Sequence, residues 1–66
     1  MSKIAVCVYQ INERFFVPAF IYDNGSVIGA DSATEDLKQC IETSRKLATN
    51  NDIKFHEQII KSKGSS

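Results

Sequence analysis

Two stretches of this chain, Lys3–Gln10 (KIAVCVYQ) and residues 15–22 (FFVPAFIY), are rich in β-branched and aromatic residues and have no polar face in their alternation. Read as paired strands, they put Ile4, Val6, Val8, Phe15, Val17 and Ile21 on one side and Cys7, Tyr9, Phe16, Phe20 and Tyr22 on the other. A solvated antiparallel sheet normally alternates apolar with polar, so two apolar faces need two covers. The chain has 66 residues, enough for one domain and too few for two. One helix can cover one face; the other is expected to meet a partner, most simply a second copy in a homodimer. The competing reading is that a bulge at Pro18 turns the strand and tucks the aromatics under the helix or the tail.

Pro18 has no backbone donor, which places it at a sheet edge or at a bulge, where one ladder bond can be spared. Asp23-Asn24-Gly25-Ser26 separates Ile21-Tyr22 from a short third strand at residues 27–30, and Asn-Gly between apolar runs predicts a type I′ turn with both residues at positive φ. Ser32-Ala33-Thr34-Glu35 has the capping-box pattern, so a helix is expected from there. Its apolar stripe reads Ala33, Leu37, Cys40, Ile41, Leu47 and Ala48, with Glu35 and Asp36 near its positive end, Arg45 and Lys46 near its negative end, and Asn50-Asn51 as the stop. Residues 53–60 (IKFHEQII) alternate as one half-buried last strand, pairing within the chain or with another copy. The expectation is an α+β domain over residues 1–60, β-β-β-α-β, built as an antiparallel meander with one helix across a face. Residues 61–66 read as a disordered tail.

The segment Asn24-Gly25-Ser26-Val27-Ile28, followed by a helix ending Ile41-Glu42-Thr43-Ser44-Arg45-Lys46-Leu47-Ala48, resembles the YegP-like family of small uncharacterised domains. In that family an Asn-Gly-x-Val-Ile turn leads to a helix with a similar ending. The resemblance covers about the middle third of the chain, and here Thr43-Ser44 replaces a pair that usually includes Val. It implies a β-β-β-α unit that pairs with a second copy or a tandem repeat, and it implies no chemistry.

Composition narrows the function. Eight Lys and Arg balance eight Asp and Glu, and the basic residues are scattered, so no net field draws the chain to phosphate backbones or anionic lipid. There is no signal-peptide pattern and no apolar run of membrane-spanning length, and Cys7 and Cys40 read as cytosolic thiols, so a cytoplasmic protein with no membrane partner is expected. His56 is the only histidine, and Cys7, Cys40 and His56 lack close ligand spacing, so no metal or other cofactor is expected. A Cys40–His56 nucleophile competes with the plainer reading of Cys40 as a small hydrophobe on the helix stripe, which is preferred. Glu35, Asp36, Glu42 and Glu57 read as a solvated face rather than as an acid–base pair. The chain is therefore not expected to be an enzyme.

The expected function is a non-catalytic protein-interaction module that binds through an aromatic sheet face, Tyr9, Phe16, Phe20 and Tyr22, or through an exposed strand edge created by Pro18 or the last strand. A small inhibitor, such as a viral protein that occupies a host enzyme, belongs to the same class. A single-stranded nucleic-acid module stacking bases on the same four rings is the alternative, which the neutral charge disfavours.

Overall fold

The computed structural model describes residues 2–62. Five strands and one helix follow in order: β1 (Lys3–Gln10), β2 (Phe16–Tyr22), β3 (Val27–Gly29), α1 (Leu37–Asn50), β4 (Lys54–Phe55) and β5 (Ile60–Lys61). The sheet runs β3-β2-β1-β4, with β5 also paired to β1. β3, β2 and β1 form the expected antiparallel meander, whereas β4 and β5 lie parallel to β1. The fold is α+β with a mixed sheet. Because β3 and β4 run the same way, α1 is the crossover between them, and it packs against β1 and β2.

Pro18 lies inside the sheet, on a strand flanked by β1 and β3, and is fully buried. Its missing donor is accommodated on the β3 side. Ala30 N–H donates to the Pro18 carbonyl at 2.8 Å, but Pro18 cannot return a bond to Ala30. The chain leaves the ladder there and rejoins it at Thr34, which exchanges both backbone bonds with Phe16 at 2.8 Å. Pro18 therefore faces a bulge and not a free edge.

That rejoining moves the helix start. Residues 32–35 lie before the helix, which starts at Leu37, so the expected capping box does not form. Asp36 is the N-cap, with its carboxylate accepting from Gln39 N–H at 3.2 Å. Glu35 instead meets Arg14 at 3.0 Å in an exposed ion pair, a contact of little energetic weight. Ala33 is thus outside the helix. Arg45 and Lys46 lie before the last turn, which holds no basic residue. Asn51 caps the end, where its backbone and side-chain nitrogens both donate to the Leu47 carbonyl.

The β2–β3 turn also departs from expectation. Gly25 has φ +88° and no described non-glycine residue except Asp52 has positive φ, so Asn24 is not left-handed and the turn is not type I′. Tyr22 N–H donates to Ser26 O and Gly25 N–H to Tyr22 O, which fits a three-residue hairpin ending in a glycine bulge. Asn24 Oδ1 accepts from Ser26 N–H at 3.0 Å. The expected single strand over residues 53–60 is two short strands. Val6 pairs with Phe55 and Tyr9 with Ile60, so the returning chain has two residues too many between these positions and loops away from β1. Both strands pair within the chain. Of the expected disordered tail, Lys61 belongs to β5, and residues 63–66 lie outside the described residues.

Asp52 has φ 56°, in the left-handed region that favours glycine, just past the helix end. Asp52→Gly should stabilise the fold by about 0.5–1 kcal/mol, read from the urea unfolding midpoint. An unchanged or lower midpoint would mean that the aspartate side chain offsets the backbone strain.

Candidate interaction surface

Residues directly opposite each other in an antiparallel pair share a face. Val6 is opposite Phe20, Val8 opposite Pro18, Cys7 opposite Ala19 and Tyr9 opposite Val17. The expected division of faces is therefore wrong. Val6 and Val8 share a face with Phe16, Phe20 and Tyr22, while Cys7 and Tyr9 go with Val17 and Ile21. Tyr9 is on the opposite face from the other three aromatics proposed as a binding set. The parity is set by the five residues between Gln10 and Phe16, closed by Ile11 N–H to Phe15 O, and a one-residue difference there would exchange the faces.

None of the four rings is fully exposed. Each is half-buried. At the sheet centre both faces are closed within one chain: Ala5, Val6, Cys7 and Val8 are four consecutive buried residues, joined by Pro18 and Ala19. The large exposed apolar side chains are isoleucines, Ile4, Ile11, Ile28 and Ile59. Ile28 ends a cross-strand row, Ile28–Phe20–Val6–Phe55, that runs from 47% exposed at Ile28 to 0% at Val6. Lys3 Nζ sits 4.4 Å from the centre of the Phe20 ring, and the Arg45 guanidinium lies 5.2 Å from that of Phe55.

Among the described residues, β3 is the terminal strand on its side of the sheet. The bonds Ala30 N–H to Pro18 O and Tyr22 N–H to Ser26 O flank the Phe20–Ile28 pair, so the backbone groups of Ile28 point inward to β2. By the alternation of an antiparallel ladder, the N–H and C=O groups of Val27 and Gly29 point outward.

The Pro18 bulge opens a pocket of about 300 Å³ between residues 31–34 and the first half of α1, with Pro18, Ser32, Thr34, Gln39, Cys40 and Thr43 in its wall. Gln39 and Thr43 lie off the expected apolar stripe of the helix, and only knowledge of the bulge would have assembled them here. The buried stripe of α1 is Cys40, Ser44 and Ala48, one residue per turn and all small. Ser44 was not expected in it, and Leu37, Ile41 and Leu47 are only half-buried.

Both cysteines are free and buried. Burial, and secondarily the nearby Cys40, push the Cys7 thiol up to about 11. Burial also raises Cys40, partly offset by Ser44 one turn along. That contact falls short of a hydrogen bond, because Ser44 Oγ makes none. Raised thiols are protonated at neutral pH and poor nucleophiles. His56 is half-buried in the segment after β4, its N–H bonded to Val6 O at 2.7 Å. Among the described residues no group of three potential metal ligands stands together, and no helix is long and apolar enough to cross a membrane.

Comparison with known proteins adds no relative: no family model, no curated protein and no solved structure matches the chain.

Two outcomes follow from the buried helix stripe. Ser44→Ala should raise stability by about 1 kcal/mol, since it removes an unpaired buried hydroxyl and improves helix propensity; a loss in urea unfolding would show that the hydroxyl has a partner. For the thiols, a folded-state value above the unfolded one means that stability is fully present below the unfolded thiol value and is lost as pH rises toward about 11. Urea midpoints should fall across that alkaline window, and a disulfide reagent should label neither cysteine until the protein unfolds. Rapid labelling of the native protein would contradict the burial.

Proposed function

We propose that this chain is a small, non-catalytic protein-interaction module whose binding element is the outer edge of β3. The observation that carries this reading is Ile28, 47% exposed beside Phe20 on a terminal strand whose outer side has no neighbour among the described residues. An edge of this kind recruits another strand through backbone hydrogen bonds, and a neighbouring apolar side chain adds buried area. The edge is favoured over the aromatic face because the four rings are divided between two faces and half-buried. The same division disfavours base stacking on a common platform. A homodimer is the self-partnered form of this reading, and an inhibitor of another protein is its heterologous form. The YegP-like resemblance, which implies pairing with another copy, is compatible with it and adds no chemistry.

Ile28→Asp tests the reading without touching the buried core. The expected result is loss of assembly or partner binding, measured as molar mass by light scattering over a dilution series with and without the partner. The unfolding free energy should stay within about 0.5 kcal/mol of the parent. Retention of the complex by Ile28→Asp would refute the edge as the binding element.

A further inference from the structure

Gly29 is not required by the fold. Its φ lies outside the left-handed region, and an added Cβ would meet only Val17 Cγ2 at 3.7 Å, an ordinary contact. A glycine in a strand costs about 0.5–1 kcal/mol relative to alanine, and often marks a place where another backbone approaches closely. Here it stands at an outward-pointing position of the terminal strand, next to the exposed Ile28. β3 reads Val-Ile-Gly and carries none of the lysine, proline or inward charge that commonly guards an edge.

The charged residues that flank β3 in the chain are both acidic, while the Lys3 ammonium is set back over the Phe20 ring of β2. Asp23 precedes β3 in the hairpin turn and Asp31 follows it in the bulge, both exposed and neither in a salt bridge, since the described ion pair joins Arg14 to Glu35. Asp31 Oδ1 accepts from Ser32 N–H at 2.7 Å, which ties its carboxylate, two residues past β3, to the adjacent backbone. Pairing of β3 with β3 of a second copy, in either direction, would gather four carboxylates along one seam. The far edge of a second copy is a poor match as well, because it is broken between Phe55 and Ile60.

Resting on the edge-binding reading, we propose that β3 receives an extended segment of a different protein, a short apolar strand with a lysine or arginine near each end. Val27 and Gly29 supply the backbone bonds, Ile28 the apolar contact, and Asp23 and Asp31 the selection by charge. A three-residue edge makes few bonds, so the two acidic flanks discriminate among strands rather than supply most of the affinity.

The test is amide hydrogen exchange and chemical-shift titration of the full chain with three synthetic peptides sharing the core Thr-Val-Thr-Val-Thr, flanked by lysine, glutamine or glutamate. The lysine-flanked peptide should slow exchange at the Val27 and Gly29 amides and bind roughly tenfold tighter than the glutamate-flanked one, a gap that narrows with salt. Asp23→Asn with Asp31→Asn, which keeps an acceptor for Ser32 N–H, should close that gap. Gly29→Pro, which removes an outward N–H, should abolish binding. Equal binding of all three peptides would overturn the charge selection and leave the edge standing. No protection at Val27 and Gly29 with any peptide would overturn the edge itself. A doubled mass of the chain alone, lost in Gly29→Pro, would replace the foreign strand by a second copy.

Discussion

Pro18 has no N–H to return to Ala30, and much of the architecture follows from that missing bond. The chain leaves the ladder at Ala30 and regains it at Thr34, which keeps residues 32–35 out of the helix and delays its start to Leu37. The same detour opens the pocket against the first half of α1 and leaves Val27–Gly29 as a short strand with a bare outer side. A residue with a donor at position 18 would let β3 run on along β2, and the crossover would begin elsewhere. Pro18 is also fully buried in the middle of the sheet, so its ring fills core volume at the point where its nitrogen breaks a ladder.

β1 is the strand on which the rest is assembled. It pairs antiparallel with β2 and parallel with β4 and β5, and Ala5–Val8 is buried on both faces. On the β4–β5 side the returning chain leaves the ladder between Phe55 and Ile60, much as residues 30–34 do beside Pro18. The longest regular part of the sheet is the hairpin of β1 and β2, in register from Ala5 to Gln10, and each outer strand is interrupted. Small residues on α1, Cys40, Ser44 and Ala48, occupy the buried stripe of the helix, where there is little room for longer side chains. For so short a chain, one misplaced polar atom in this layer is a sizeable fraction of the total stability, which gives the unpaired Ser44 hydroxyl its weight.

The legible parts of the fold were those encoded by local pattern. The β-branched run of β1, the aromatic run of β2 and the Asn50-Asn51 stop all stand where residue type placed them. An exposed edge was expected at Pro18 or at the last strand, whereas Pro18 lies on a flanked strand and the edge beside the aromatic strand is β3. The aromatic site was not legible either. Tyr9 and Phe16 are both apolar rings in paired strands, but whether they share a face depends on the number of residues in the connection, and residue identity at either position carries no record of it. The type I′ expectation failed for a related reason: Asp23 joined the turn, so only Gly25 needed positive φ.

By itself the sequence determined which segments could be strands or helix, that the helix would need an apolar stripe, that Cys40 would lie on it, and that no net charge would recruit a polyanion. Those properties reside in single residues and their near neighbours. Register, the division of side chains between two faces, the bulge opposite Pro18 and the outward aim of Val27 and Gly29 were decided only in the folded chain. They depend on which residue stands across the ladder from which, and such pairings join positions far apart in sequence.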